Sequence, residues 1–452
     1  MPDLSVPGPQ RRHLFVLSAL ALLAFAPTLR TGFMIDDPFL LAAVAPNPGW
    51  SASAVRSDFT QSVYKQGGGF YYRPMLSLMV RGEYGLFGNH PAGYHAVTIL
   101  FHWANVLLLY VILQRLGISA FVSALTAALF ATTPILVDDF LAATGGDAMA
   151  NFFFWASIYC FLDERPWWGW CLAFPAFFAK ESAVMLPFQL ALFFSYMRKP
   201  RSEYWKVAGL VLPLAVFGWM RMRSVHWPPG MTLPVSVQFT AMAFPKIAFC
   251  YLRTLIAPVG LETWPPIVHL SHLWPVYGAG LIVIAWWVSL VPMGRLSAAW
   301  YLLGLLPRIP AMIVGNVLMD KWAVISAPAI FLPLATVFAK GMRSRSVTKR
   351  LAWCGFAGIV IWWMSLGYLN IRRRGSDEKN YRWTIRHGVR DFASYRLGII
   401  LLRQGRAAEA VDVLTALNAW VPGDPDYEHA LALALQQAGR APHRRDGPTG
   451  RG

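Results

Sequence analysis

The sequence predicts an all-α polytopic membrane protein that ends in a short helical-repeat unit. Three observations carry that prediction. The 452 residues are 56% hydrophobic and only 14% charged, with mean hydropathy +0.43 and 20 tryptophans. Several apolar runs approach the length that crosses a bilayer. After residue 370 those runs stop, and a self-similarity of 34 residues begins.

Residues 1–29 resemble a secretory signal, with Arg11 and Arg12 before an apolar run ending Ala24-Phe25-Ala26. Pro27 directly after that small-residue site hinders cleavage, so this is read as a retained first helix. Candidate spans then follow at 13–29, 92–115, 119–136, 148–162, 167–180, 182–197, 207–222, 276–292, 298–315, 323–340 and 351–369, about eleven in all. The stretch 246–259 is apolar but carries Arg253 and Pro258, which suits an interfacial or re-entrant segment. Counting it as a span reverses everything after it.

The net charge of +17 would suggest a nucleic-acid partner in a soluble chain. Here the Lys and Arg lie in short loops and in the tail, so they read as topology determinants with some attraction to anionic membrane lipids, and no nucleic-acid partner is expected. Arg11 and Arg12, then Arg198, Lys199, Arg201 and Lys206, then Lys340, Arg343, Arg345, Lys349 and Arg350 share one side, cytoplasmic by the positive-inside rule. Arg372, Arg373 and Arg374 then fall outside, one helix after a five-charge cluster. One cluster must break the rule, and the smaller one is taken to do so. Cys160, Cys171, Cys250 and Cys354 sit in apolar stretches without metal-ligand spacing, so neither a zinc site nor a disulfide is expected.

The first outer loop, about residues 33–74, begins Phe33-Met34-Ile35-Asp36-Asp37 and ends Tyr71-Tyr72-Arg73-Pro74. Gly67-Gly68-Gly69 makes a flexible crossing, and Pro74 suits the first turn of a surface helix from Met75 to Tyr84. Two adjacent carboxylates and an arginine in one loop are what a transferase working on a phosphate-bearing lipid needs. One group takes a proton and a cation holds the anionic leaving group. On the second span, His95, His102 and Asn105 share a helical face. They are read first as polar ties between helices, and second as cavity-lining groups. Trp167, Trp168 and Trp170, near Asp163, Glu164 and Arg165, look like an interfacial aromatic belt without chemistry.

Beyond residue 370, Gly405-Arg406 and Gly439-Arg440 stand 34 residues apart, and Leu397, Ile399 and Leu401 pair at the same offset with Leu431, Leu433 and Leu435. That is the period of a tetratricopeptide repeat. The sequence thus divides into a transmembrane domain 1–370, a repeat-like unit 371–440 and a disordered tail 441–452.

A carboxylate at bilayer depth costs roughly 3 kcal/mol, so charges flanking the spans need a reason. Asp36 and Asp37, Asp138 and Asp139, Asp147, Lys180-Glu181 and Asp320-Lys321 all fall on the outer face in the topology above. Their convergence on one face points to a functional site.

Ile35-Asp36-Asp37, Tyr72-Arg73-Pro74, Gly93-Tyr94-His95 with His102 and Asn105, Phe130 to Pro134 with acids just after, Lys180-Glu181, Tyr251-Leu252-Arg253 with Pro258, and Leu305-Leu306-Pro307 followed by Met319-Asp320-Lys321-Trp322 occur in that order. Over residues 30–440 the chain resembles the membrane glycosyltransferases of the GT-C fold, in the branch related to protein O-mannosyltransferases that carries C-terminal tetratricopeptide repeats. The resemblance implies a transferase that takes a monosaccharide, mannose or another hexose, from a polyprenyl-phosphate carrier. The acceptor would be a hydroxyl of a protein or glycan outside the cytoplasm. It implies Asp36 as catalytic base with Asp37 beside it, and Arg73, Lys180 and Lys321 on the donor phosphate. Asp138, Asp139, Asp147, Glu181 and His102 would support them, and the expected location is a bacterial cytoplasmic membrane. The chain departs from the family in Gly145-Gly146-Asp147, where Gly-Arg-x-Asp is usual, in Thr133-Pro134 for His-Pro, and in Lys321 for an arginine. No cofactor is required. Asp36, Asp37 and Asp138 are nonetheless ligands of the kind a divalent metal takes.

Two other readings compete. A transporter or lipid-handling protein would run its intramembrane charges along a pathway and show inverted repeats and broken helices. A silent scaffold would need one anchor rather than eleven spans.

Overall fold

In a computed structural model, the structure describes residues 8–65, 71–225, 233–259, 261, 277–282, 286, 290, 293–308, 319–345, 347–387 and 391–440. Among these every regular element is helical, and no strand occurs. The predicted glycine crossing 67–69, most of the span 276–292 and the tail 441–452 lie outside the described residues. The chain divides into two compact units, one ending at Gly375 and the other taking up the chain from Ser376.

The first unit begins with α1 (Gly8–Ala24), which runs through a 3-10 turn to Arg30. The first loop carries α2 (Asp37–Val44), α3 (Ala52–Thr60) and α4 (Pro74–Phe87). Ser51 caps α3 by accepting from the Ala54 N–H at 3.2 Å, and Pro74 opens α4, where its missing N–H costs nothing. Then come α5 (Pro91–Arg115), α6 (Ala120–Thr132), α7 (Val137–Leu141), α8 (Gly146–Leu162), α9 (Pro166–Ala179), α10 (Leu186–Tyr196), α11 (Trp205–Ala208) and α12 (Val211–Ser224). After α13 (Leu233–Ile256) follow α14 (Gly294–Leu305), α15 (Ala327–Met342) and α16 (Val347–Arg374).

Among the described residues, five helical runs are long and apolar enough to cross a bilayer: Gln10–Arg30, Pro91–Arg115, Ala120–Leu141, Arg201–Ser224 and Val347–Arg374. Several of them bury little of that apolar surface within the protein. Only 17% of the Arg201–Ser224 window and 28% of the Gln10–Arg30 window are buried, and Phe15, Leu212 and Leu351 stand largely exposed. Apolar faces of that extent need an apolar solvent, which makes this a helical membrane protein. The segments expected to span at 148–162, 167–180, 182–197 and 323–340 form helices of 17, 14, 11 and 16 residues, each less than the 21 to 28 residues of those five runs. Charged turns at Asp163 to Arg165 and at Lys180-Glu181 delimit the first three. The stretch 246–259 belongs mainly to α13, a helix of 24 residues with Pro245 inside it.

The core of the unit is aromatic. Trp155 of α8, Trp300 of α14 and Phe193 of α10 meet edge to face, and Trp363 of α16 packs on Phe331 of α15. A smaller apolar cluster of Leu40, Val44, Leu76, Val80, Met149 and Ala179 seats the loop helices α2 and α4 on α8 and α9. That seating brings the first loop over the charged turns.

Among the described residues the second unit holds four helices: α17 (Asp377–Arg386), α18 (Asp391–Arg403), α19 (Ala407–Trp420) and α20 (Pro425–Arg440). The boundary falls after Gly375 rather than at 370, because α16 continues unbroken to Arg374. Leu397, Leu401, Ala410, Leu414, Leu417 and Ala434 form its core, and a side chain at Gly398 would meet Leu414 at 2.6 Å. The sequence pairing of Leu401 with Leu435 does not carry into burial, since Leu401 is buried and Leu435 is 55% exposed. On α20 the inward face is Ala430 and Ala434 instead.

Candidate functional site

The adjacent acids of the first loop face opposite ways. Ile35 holds φ at +60°, a conformation that costs a β-branched residue roughly 1–3 kcal/mol and that turns the chain sharply just before the pair. Asp37 turns inward and is fully buried. Its Oδ2 accepts from the N–H groups of Met34 at 2.7 Å and Ala143 at 2.8 Å. Its Oδ1 accepts from the Thr144 N–H at 2.9 Å and the Thr144 hydroxyl at 2.6 Å. Burial pushes its carboxyl up to about 6, against these four donors. With every lone-pair direction occupied by a donor, the ionised form is the one that fits at neutral pH. Asp37 is therefore a staple between the loop and the turn at 142–147, and it does not line the cleft beside that turn.

Asp36 stays exposed and does line that cleft. With it are Arg73, Asp139, Asp147, Lys180 and Lys321, contributed by the loop, α7, α8 and the breaks before Glu181 and after Asp320. Segments up to 285 residues apart in sequence thus meet around one small cavity of about 60 Å³. Tyr64, which the sequence reading did not single out, hydrogen-bonds Asp36. Burial first, and then the Asp36 charge, raise the Tyr64 hydroxyl, so it remains a neutral donor to that carboxylate.

The cations are already engaged. Arg73 makes a two-point contact with Glu181, Nε and Nη2 donating to Oε2 at 3.0 and 2.9 Å, and its guanidinium lies 4.4 Å from the centre of the Tyr71 ring. Burial would raise Glu181, but Arg73 outweighs it and holds the carboxyl below its ordinary value. Lys180 pairs with Asp147, and Lys321 reaches the other oxygen of Asp147 at 3.7 Å. Burial pulls Lys321 down, while Asp147, Asp139, Asp138 and Asp36 together push it above its ordinary value, so it stays protonated. Asp139 accepts from the Asp147 N–H at 3.3 Å. Among the described residues three cations and three acids thus line the cleft, with Asp147 shared between two of the cations.

Several expected residues lie elsewhere. Asp138 pairs with Arg374 of α16, both buried, and is turned away from the cleft that its neighbour Asp139 lines. His102 is buried between Phe25, Phe130 and Phe140, with Nε2 at 3.1 Å from the Ala131 carbonyl, and ties α5 to α6. Asn105 similarly donates to the Ala148 carbonyl at 2.8 Å. Glu181 acts on the cleft through Arg73. Asp36, Asp37 and Asp138 do not form a common ligand set, since one is stapled to backbone amides and another to an arginine. Among the described residues no three His, Cys, Asp or Glu stand together where they could hold a metal ion.

Gly145 has a physical reason. A Cβ there would lie 2.6 Å from the Asp139 carbonyl oxygen and 2.8 Å from the Thr98 methyl, so the turn that carries Asp147 closes only around a glycine. Arg374 could not be paired from sequence, because 236 residues separate it from Asp138. Tyr64 left a faint signal, as a tyrosine in the same polar loop as the acids. Comparison with protein-family models and with curated proteins finds no match for this chain.

Proposed function

We propose that this protein is a membrane glycosyltransferase that moves a monosaccharide from a polyprenyl-phosphate carrier to a hydroxyl acceptor at the outer face of a bacterial cytoplasmic membrane. The observation that carries the reading is the meeting of Asp36 with Arg73, Lys180 and Lys321 in one cleft. An acceptor hydroxyl is a poor nucleophile. Asp36, exposed and held by Tyr64, can take its proton as the glycosidic bond to the carrier breaks. The departing lipid phosphate is an anion, and Lys321 and Lys180 can accept it by releasing Asp147, as Arg73 can by releasing Glu181.

The cavity of about 60 Å³ is well below the roughly 300 Å³ at which ligand pockets begin, so donor binding goes with separation of these ion pairs. In this reading the eleven predicted spans frame the cleft, and the four C-terminal helices are a tetratricopeptide-like unit.

The test is Asp36→Asn in membranes supplied with a labelled polyprenyl-phosphate hexose. Transfer should fall by at least about 100-fold, the lower end of what a general base contributes. Insertion and thermal midpoint should be unchanged, since Asp36 is exposed and its side chain caps no helix. Full transfer by that variant refutes the assignment.

A further inference from the structure

Two arginines stand apart from the charge network of the cleft. Arg30 ends the helical run Gln10–Arg30, and Arg372 lies in the last turn of α16. Both are exposed, and among the described residues neither has an ion-pair or hydrogen-bond partner. They line one hollow of about 650 Å³ that shares Leu23, Pro27 and Tyr368 with a second of about 480 Å³. The two hollows therefore adjoin along these shared residues. They form an apolar furrow between α1 and α16 that runs from Met364 to Gly375, about 16 Å of helix.

Both walls belong to helices apolar and long enough to cross a bilayer, and both arginines sit at the helix ends. The mouth of the furrow is therefore at headgroup level and its floor is at acyl-chain level. Because α16 carries basic residues at both ends, with Lys349 and Arg350 at one and Arg372, Arg373 and Arg374 at the other, one cluster sits where basic residues are disfavoured. Arg374 is compensated by Asp138. Arg372 is left to find its anion outside the protein, and it shares the furrow mouth with Arg30. Snorkelling or the helix dipole would explain either arginine alone. Neither explains why both stand over one furrow.

We propose that the furrow between α1 and α16 binds an anionic glycerophospholipid, its phosphate between Arg30 and Arg372 and an acyl chain along Leu23, Pro27 and Tyr368. The site is independent of the transferase reading, because it uses none of the cleft residues.

The test is native mass spectrometry of the full chain equilibrated with phosphatidylglycerol or phosphatidylcholine. Variants Arg372→Gln, Arg30→Gln/Arg372→Gln and, near the other end of α16, Arg343→Gln are compared. Wild type should retain phosphatidylglycerol in preference to phosphatidylcholine. Each furrow arginine removed should weaken retention about fivefold and both about 30-fold, the share a basic residue contributes at an anionic surface. Arg343→Gln should retain phosphatidylglycerol like wild type. Equal retention of the two lipids, an unchanged double variant, or an equal loss in Arg343→Gln overturns the site. Retention of an added polyprenyl phosphate alone assigns the furrow to the carrier and overturns it too. Tryptophan fluorescence melting of each variant keeps loss of lipid separate from loss of fold.

Discussion

Replacing Asp37 by asparagine separates the two acids of the first loop. The carboxylate accepts four hydrogen bonds, two at each oxygen, from Met34, Ala143 and Thr144. Asparagine keeps one oxygen and presents an amide nitrogen, itself a donor, to the two donors at the other. The Thr144 hydroxyl can turn to accept from that nitrogen, which leaves the Thr144 N–H unsatisfied, so Asp37→Asn should destabilise by roughly 1–3 kcal/mol. The loop would also lose what holds Ile35 in its strained turn, so activity should fall together with stability. The assay is thermal unfolding of the full chain in detergent followed by tryptophan fluorescence, run beside Asp36→Asn. The midpoint should drop by several degrees for Asp37→Asn and stay within about a degree of wild type for Asp36→Asn. If Asp36→Asn is the destabilised variant and Asp37→Asn melts like wild type, the assignment of one acid to the fold and the other to the cleft is wrong.

Two further substitutions probe the charges that hold the unit together. Arg374→Gln strands a buried Asp138 and should cost about 3–5 kcal/mol, most of it recovered in Arg374→Gln/Asp138→Asn. Equal stability of the single and double variants would discount the pair. Glu83 of α4 is buried with neither oxygen hydrogen-bonded, and burial, with Asp37 nearby, pushes its carboxyl up to about 9. The folded state thus keeps a proton that the unfolded chain loses above about pH 4.5. The stability this group contributes is complete below that pH and is lost as pH rises toward 9, at up to about 1.4 kcal/mol per pH unit. Glu83→Gln should melt like wild type near pH 5 and more stably near pH 9. Parallel profiles across that range would show that Glu83 is ionised in the fold.

The class of the molecule was legible in the amino-acid order alone, because hydropathy and helical period are local. Apolar runs bounded by charged or proline-containing turns mark helices whatever they pack against, and the acids and lysines between those runs carry an insertion cost that flags them. The same local reading placed Asp36, Arg73, Asp139, Asp147, Lys180 and Lys321 as candidates, and all six line one cleft. Sequence could not say which of two adjacent acids faces that cleft. A single left-handed residue, Ile35, decides it for Asp36 and Asp37, and the position of α16 decides it for Asp138 and Asp139 by supplying Arg374 to one of them. Helix length was legible in part: the runs at 148–162 and 167–180 form helices of 17 and 14 residues, while the run at 182–197 gives an α-helix of only 11. A run of apolar residues reports the solvent it tolerates, while the length of the helix depends on where prolines and charged turns interrupt it. What tertiary structure alone determined is the pairing of charges across hundreds of residues, since a salt bridge has a range of a few ångströms and no periodicity to leave in the sequence.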